Sequence, residues 1–231
     1  MRAIRNRLRS HYARPRNEPH GAPLDELVLT ILSQNTNDRN RDVAYARLRR
    51  RFRDWEEVSA APAGEIEEAI RPGGISKVKS KRIKAILGAV AEAPGAPRGA
   101  DSSPLSLDWL RDASRERAIG FLTSLPGVGR KTAACVLLFS YDLPEVPVDT
   151  HVYRVGSRLG LFRPRAPFDE AHDVMNALVD VGDAYEVHVN MLRHGRRLCT
   201  ARRPLCEACP LRPVCPYGRS LVAERRQARV A

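Results

Sequence analysis

Residues 125–132 read Leu-Pro-Gly-Val-Gly-Arg-Lys-Thr and join two segments of helical periodicity through a turn of a few residues. Gly127 and Gly129 lack a Cβ atom, so the backbone can turn sharply and approach another molecule closely. The N–H groups at the start of the following helix carry partial positive charge, which suits a phosphate oxygen. A plain interhelical turn is the alternative, because Gly and Pro occur in many such turns. In a basic helical chain we favour a helix-hairpin-helix that contacts the DNA backbone through the residues flanking the lysine, namely Gly127, Val128, Gly129, Arg130 and Thr132.

Lys131 opens the helix behind this turn, and Asp149 follows the apolar stretch 146–148 in the next loop. A lysine at a helix start is usually a solvated cation or a phosphate contact. A nucleophilic role would require a deprotonated amine, which burial or a nearby cation can arrange. On spacing alone Asp149 is a helix N-cap, and its apolar approach could also partly bury the carboxylate.

Apolar residues recur at three- and four-residue steps over nearly the whole chain, and no run alternates with a period of two. The pattern predicts an all-α fold, in which Pro23 suits the first turn of a helix. A Pro-, Gly-, Ala- and Ser-rich stretch at 92–106 is predicted to be a surface loop or connector. Helices are predicted near the N-terminus and over about 24–32, 38–52, 55–60, 64–70, 78–90, 107–112, 114–124, 131–141, 151–159, 169–181 and 185–198.

The charge balance favours a polyanionic partner. Lys and Arg number 39 against 27 Asp and Glu, which gives a net charge of +12 and favours nucleic acid before an anionic membrane. No stretch of about 18 apolar residues is present to span a membrane. Residues 1–16 hold six arginines and no acid, as transit peptides do. Because Ile4 and Leu8 lie one helical turn apart, we interpret this segment as a packed helix and expect a bacterial cytoplasmic, nucleoid-associated protein rather than an organellar one.

Four of the five cysteines fall within residues 199–215 in the spacing C-x6-C-x2-C-x5-C, and they are Cys199, Cys206, Cys209 and Cys215. Four soft thiolate donors in one short loop can surround a metal centre. The spacing alone does not separate a tetrahedral zinc ion from an iron–sulfur cluster. The fifth, Cys135, lies in an apolar helix and is interpreted as core packing.

The hairpin stretch, together with Val-Asp-Thr-His-Val-Tyr-Arg at 148–154, resembles endonuclease III of the helix-hairpin-helix DNA glycosylase superfamily. The resemblance covers about residues 24–216. It implies that Lys131 is the nucleophile, that Asp149 supports base loss, and that the four cysteines hold a [4Fe–4S] cluster. It further implies a six-helix barrel lobe at 23–143 and an iron–sulfur cluster lobe formed by 1–22 with 144–231, with the active site in the cleft between the lobes.

The implied activity is a bifunctional DNA glycosylase/AP lyase that removes oxidised pyrimidines and cuts the strand by β-elimination. The expected partner is double-stranded DNA with damaged bases or abasic sites, bound by a monomer. By the same resemblance Gln34 fills the space of the everted base and Ile75, where the family usually has leucine, wedges the opposite strand. Without the resemblance, Gln34 would simply end a helix and Ile75 would be core. Asn35 stands where the family has alanine.

Basic residues near these loops are expected to meet phosphate. Arg202 and Arg203 lie in the loop that the cluster would hold, and a basic run over 77–84 follows Ile75. A run of charge is usually a solvated face, but beside a wedge we expect it to cover the DNA backbone. Three rival functions stay open at this point: a monofunctional mismatch or adenine glycosylase, a non-catalytic DNA-binding module, and a zinc-ribbon-like adaptor. The monofunctional glycosylases lack a lysine at the position that matches Lys131.

Overall fold

Every regular element in the described part of the chain is helical, which confirms the all-α prediction. The computed structural model describes residues 1–18, 21–93, 103 and 105–230, so most of the predicted 92–106 loop lies outside the described residues. The α-helices are α1 Arg2–Tyr12, α2 Pro23–Ser33, α3 Asp38–Arg51, α4 Trp55–Ala60, α5 Ala63–Ile70, α6 Ser76–Ala91, α7 Arg115–Ser124, α8 Arg130–Tyr141, α9 Thr150–Arg158, α10 Phe168–Leu178, α11 Ala184–Arg197 and α12 Pro216–Val230. Short 3-10 helices cover Arg71–Gly73, Asp108–Arg111, Cys206–Ala208 and Arg212–Val214.

The chain divides into two compact units, one formed by Pro19–Tyr141 and the other by Met1–Glu18 with Asp142–Ala231. The first, which we call the hairpin unit, contains α2 to α8 in its described part. These are seven α-helices among the described residues, and the short helix Trp55–Ala60 is one of them, as predicted. The second, which we call the cysteine unit, contains α1 and α9 to α12. None of the described helices is both long and apolar enough to cross a bilayer.

The core of the hairpin unit is built around α2. Pro23 occupies its first turn, as predicted, and nearly all of its other residues are buried. α2 packs against α8, where the small side chains of Ala133 and Ala134 are fully buried and permit close approach. Each buried leucine or isoleucine contributes about 1.5–3 kcal/mol relative to an exposed one. This packing fixes both the end of α2 and the start of α8, the two segments that carry the predicted DNA contacts.

The N-terminal helix α1 packs on α11 in the cysteine unit, and Ile4 and Leu8 are buried as predicted. Arg9 Nε donates to Glu186 Oε1 at 2.7 Å, and Arg5 pairs with Asp183. The arginine-rich first helix is therefore an integral part of the fold, held by apolar packing and by ion pairs to the start of α11.

Two elements differ from the sequence prediction. The helix predicted at 107–112 is a 3-10 helix, Asp108–Arg111, too short for an α-helical ladder. The terminal helix α12 was missed because its sequence is mostly polar and carries no apolar stripe of its own. It packs instead against the 3-10 helix Cys206–Ala208, so its stability depends on the cysteine loop rather than on its own periodicity.

Candidate active site

The hairpin forms as predicted between α7 and α8. Val128 N–H donates to Leu125 C=O at 3.1 Å, and Gly127 adopts a φ of 74°, which favours glycine. The side chains of Val128 and Thr132 are buried, so any contact they make with DNA runs through the backbone. Lys131 lies in the first turn of α8 and is half-buried.

Gln34 is fixed against the hairpin in a three-residue network within the hairpin unit. Its Nε2 donates to Gly127 C=O at 3.0 Å, and its Oε1 accepts from Arg82 Nη1 at 3.0 Å. A Cβ atom at position 127 would lie 2.8 Å from Cδ and Nε of Arg82, so only glycine leaves room for this arginine. The predicted space-filling residue and the predicted phosphate-binding turn are thus one hydrogen-bonded assembly, and Arg82 joins it from α6.

The backbone has a left-handed conformation at Ile75 and at Asn35, the residue after Gln34. Ile75 adopts a φ of 51° and Asn35 a φ of 53°. Asparagine tolerates this left-handed region, so the departure from the family's alanine at position 35 has a structural reason. A β-branched residue does not tolerate it and is strained by about 1–3 kcal/mol. Ile75 is also 53% exposed, so it is not the core residue that its chemistry alone would suggest.

The basic run after Ile75 does not form one phosphate-binding face, and that expectation is wrong for two of its lysines. Lys79 is buried, with its ammonium bonded to backbone carbonyls. Lys84 Nζ bonds the carbonyls of Ser59 and Ala61 at the end of α4. Helix geometry turns some members of the run inward, and of its four lysines only Lys77 and Lys81 are exposed.

Asp149 is the N-cap of α9, as its spacing predicts. Its Oδ1 accepts from the N–H groups of His151 at 2.8 Å and Val152 at 2.7 Å. Both bonds fall on the same oxygen, and the carboxylate is half-buried. The cap therefore holds the carboxylate in one orientation, which leaves the direction of Oδ2 fixed by the helix start.

Side chains from α10 and α11 hold the approach to Asp149, and the sequence analysis missed them. Val146 N–H donates to Asn176 Oδ1 at 2.8 Å and Val148 N–H to His172 Nε2 at 3.0 Å, while His188 Nδ1 lies 2.8 Å from the carbonyl of Pro147. Because His172 Nε2 accepts, the ring carries its proton on Nδ1, which donates to Phe168 C=O. No short-range pattern in the sequence indicates these contacts, since each joins residues at least 24 positions apart.

The four clustered cysteines line one common cavity in the cysteine unit. Within the described ranges, no three His, Cys, Asp or Glu donors are grouped to hold a single metal ion. Four thiols that line one cavity supply a donor set that a [4Fe–4S] cluster can use. Burial raises the pKa of Cys206, Cys209 and Cys215, and a bound metal centre, which takes thiolate ligands, would oppose that effect.

Hydrogen-bond donors aim at these sulfur atoms, which is what thiolate ligands require. Arg158 Nη1 lies 3.2 Å from Cys199 Sγ, and the Gly218 N–H lies 3.3 Å from Cys215 Sγ. Burial, with a smaller effect of His11, lowers the pKa of His194 to about 4, so its ring is neutral. Its Nδ1 lies 3.1 Å from the Tyr12 hydroxyl and its Nε2 lies 3.4 Å from Cys209 Sγ. The residues present therefore fit an iron–sulfur cluster.

The loop after Cys199 carries the two predicted phosphate-binding arginines, and Arg158 holds its base. Arg158 donates to Thr200 C=O at 2.8 Å and to Ala201 C=O at 3.0 Å. Arg202 and Arg203 follow directly and are exposed. The loop thus presents two solvent-facing guanidinium groups from a rigid base.

Comparison with known proteins accounts for this combination of hairpin, lysine and cysteine cavity. Residues 28–181 match the HhH-GPD superfamily of base excision DNA repair proteins, and residues 199–215 match the iron–sulfur binding domain of endonuclease III. Endonuclease III of Thermotoga maritima is 33% identical over 205 residues, covering 89% of this chain and 88% of that protein. The chain belongs to the endonuclease III family. Endonuclease III of Synechocystis is 32% identical, with 86% and 83% of the two chains covered.

Solved structures agree with the family assignment. The chain is similar to endonuclease III in a trapped covalent intermediate with DNA, with a TM-score of 0.77, 27% identity and 96% of each chain covered. A non-covalent endonuclease III–DNA complex gives a TM-score of 0.77 at 26% identity. As a member of the endonuclease III family, the protein is a base excision repair DNA glycosylase/AP lyase, and its cofactor is a [4Fe–4S] cluster. The predicted family, enzyme class and cofactor are confirmed, and the zinc adaptor and the non-catalytic module are excluded.

Proposed function

We propose that this enzyme removes oxidised pyrimidines from double-stranded DNA and then cuts the strand through a Schiff base on Lys131. One observation carries the proposal: Lys131 stands in the first turn of α8, directly behind a glycine hairpin that suits a DNA phosphate. A clamp on the backbone would bring the adjacent amine to the sugar of the same strand. The endonuclease III relative trapped covalently on DNA supports a nucleophilic mechanism.

The chemistry follows from an amine nucleophile. The lone pair of Nζ attacks C1′, the C1′–N bond breaks, and the base leaves with that electron pair and takes up a proton. Nζ then loses a proton, and the C1′–O4′ bond of the sugar breaks while O4′ takes up a proton. The resulting ring-opened iminium ion, the Schiff base, makes the C2′ proton acidic. Loss of that proton expels the 3′ oxygen as phosphate ester, so the strand breaks on the 3′ side of the lesion. Water then releases Lys131 from the unsaturated aldehyde.

Asp149 is proposed to support base loss with its negative charge. Its capping bonds both use Oδ1, so Oδ2 can face positive charge developing on the sugar, or take a proton from the attacking amine. The bonds of His172 and Asn176 to the segment before it hold that carboxylate in place. Backbone contacts therefore preorganise the carboxylate before DNA binds.

Base eversion leaves a gap in the duplex that must be filled. We assign that task to Gln34 and Ile75. The support for Ile75 is its exposure in a strained conformation, since strain of this kind persists where function requires it. The hairpin and the exposed pair Arg202 and Arg203 would bind backbone phosphates without reading sequence. We propose that the cluster is structural, because hydrolysis of a glycosidic bond requires no electron transfer. We also propose that the enzyme acts as a monomer.

The proposal is tested with duplexes that each carry one modified base. We expect base release from oxidised pyrimidines such as thymine glycol and none from the undamaged duplex. A duplex with a preformed abasic site should be nicked by the wild type. Lys131→Gln should lose both activities, whereas Lys84→Gln, a change at a lysine whose ammonium bonds the carbonyls of Ser59 and Ala61, should keep both. Base release without strand cleavage by the wild type would make the enzyme monofunctional and contradict the proposal.

A further inference from the structure

Lys79 is a buried lysine with no acidic partner among its hydrogen bonds. It is 2% exposed, and its Nζ donates to Leu32 C=O at 2.7 Å and to Gly73 C=O at 2.9 Å. Lysine is almost never fully buried unless its charge is compensated. Here two backbone carbonyls provide that compensation, and both belong to segments of the hairpin unit that end just before a predicted DNA-entering residue.

The two carbonyls lie at equivalent places in their segments. Leu32 is in the last turn of α2, two residues before Gln34, and its carbonyl is one of the terminal groups that a helix leaves unbonded. Gly73 ends the 3-10 helix Arg71–Gly73, two residues before Ile75. A single ammonium group therefore joins the bases of the two loops, and its positive charge suits the negative end of α2.

We propose that Lys79 is a positioning residue for base eversion, which sets the spacing between the Gln34 loop and the Ile75 loop so that both side chains enter the same gap in the duplex. This inference rests on the proposed roles of Gln34 and Ile75. Each loop turns through a left-handed residue, at Asn35 and at Ile75, and such turns keep their shape only where surrounding contacts hold them. Lys79 bonds to the base of both loops.

The chemical character of Lys79 supports a positioning role. Burial, with a smaller effect of Arg82, lowers the pKa of Lys79, so the chain keeps an ammonium group where the surroundings disfavour its charge. Arginine occupies 34 of the 39 basic positions, and lysine only five. A guanidinium has five N–H donors in a fixed plane and would leave donors unsatisfied between two carbonyls. An ammonium has three donors, and the two carbonyls accept two of them.

Lys84 provides a matched control on the same helix. Its Nζ also bonds two carbonyls at the end of a helix, those of Ser59 and Ala61 around the end of α4, but neither lies next to a proposed DNA-entering residue. Lys79→Met and Lys84→Met each remove an ammonium group that bonds two carbonyls, with little change in side-chain length. A purely structural contribution should therefore appear in both variants.

The test compares two substrates under single-turnover conditions, with the melting temperature of each variant measured in parallel. Base release from a thymine glycol duplex requires eversion and gap filling, whereas cleavage of a single-stranded abasic oligonucleotide requires neither. Lys79→Met should slow base release at least about tenfold, and so should Gln34→Ala and Ile75→Ala. Lys79→Met should leave the rate of single-strand cleavage within about twofold of the wild-type rate. Lys84→Met should leave both within about twofold. Fluorescence of 2-aminopurine opposite the lesion should rise on binding of wild type and less for Lys79→Met.

The outcomes separate the inference from the function on which it rests. If Gln34→Ala and Ile75→Ala slow base release and Lys79→Met does not, the positioning role alone is wrong. If Lys79→Met slows both substrates equally, or Lys84→Met matches it, the role is structural and the inference is overturned. If wild type releases no oxidised base, the proposed function falls together with the inference. Should Lys79→Met fail to fold, Lys79→Gln, which keeps two N–H donors, serves in the same comparison.

Discussion

Replacing Gly127 with alanine should separate the two reasons for a glycine in the hairpin. Alanine in the left-handed conformation of this residue, with φ of 74°, is destabilised by about 1–2 kcal/mol relative to glycine. The new Cβ would also lie 2.8 Å from Cδ and Nε of Arg82, so the arginine must move and give up its bond to Gln34. That bond contributes about 1 kcal/mol. We therefore expect Gly127→Ala to destabilise the protein by about 2–3 kcal/mol.

Two other glycines supply graded controls. Gly74 has φ 68° and ψ 154°, a conformation that essentially only glycine adopts, and open space at its Cβ position, so Gly74→Ala should show the conformational strain alone, about 1–3 kcal/mol. Gly129 has open space and is not in the left-handed region, so Gly129→Ala should be neutral or stabilising by up to about 1 kcal/mol. Its added methyl group would nevertheless weaken DNA binding if the hairpin approaches a phosphate as closely as we propose.

The assay is a double-mutant cycle in urea, with Gly127→Ala measured in the wild type and in Arg82→Ala. Without the arginine side chain there is no clash, so the effect of Gly127→Ala should shrink to the strain of about 1–2 kcal/mol. Thermal unfolding should agree, at about 2–4 °C for each kcal/mol. If Gly127→Ala destabilises both backgrounds equally, Arg82 does not fill the space above the glycine as described, and the Gln34 network is not coupled to the hairpin.

Three further predictions test the other parts of the site. Asp149→Asn keeps the helix cap, because the amide oxygen also accepts hydrogen bonds, so the unfolding free energy should change by less than about 0.5 kcal/mol. Base release should nevertheless fall about 100-fold. Equal losses of stability for Asp149→Asn and Asp149→Ala would contradict this. Replacing Arg202 and Arg203 by alanine should reduce the slope of log K against log salt for DNA binding by about 1 for each arginine that binds a phosphate, and Arg53→Ala, at a side chain 85% exposed and paired with Glu57, should not change it. Cys206→Ser should abolish the visible absorbance of the cluster and expose the loop at 200–205 to proteases, a result that an intact brown protein would refute.

The sequence predicted what depends on short-range pattern. Helical periodicity indicated the all-α fold, the glycine pair indicated the hairpin, and Asp149 was identified as a cap because capping involves only the next three residues. The cysteine spacing predicted a metal centre, and the resemblance to endonuclease III identified it as a [4Fe–4S] cluster. The roles of Lys131, Gln34 and Ile75 stay predictions until they are tested by substitution.

The features that were missed depend on interactions between residues distant in sequence. Lys79 looks like its exposed neighbours in a basic run, and only the packing of α6 against α2 turns it inward. The left-handed conformations of Asn35 and Ile75 are likewise imposed by tertiary packing, since local preference gives no reason for isoleucine there. His172 could equally have been a core histidine or a ligand, and its bond to Val148 is visible only in the fold.

The central claim is that Lys131 forms a covalent bond to the deoxyribose, and borohydride trapping tests it most directly. The chain has only five lysines, so the modified residue can be assigned by mass spectrometry of a peptide digest. We predict that wild type incubated with an abasic duplex and borohydride gives a covalent adduct at Lys131. Lys84→Gln should give the same yield, and folded Lys131→Gln should give none. An undiminished adduct with Lys131→Gln, or an adduct mapped to another lysine or to the N-terminal amine, would contradict the account.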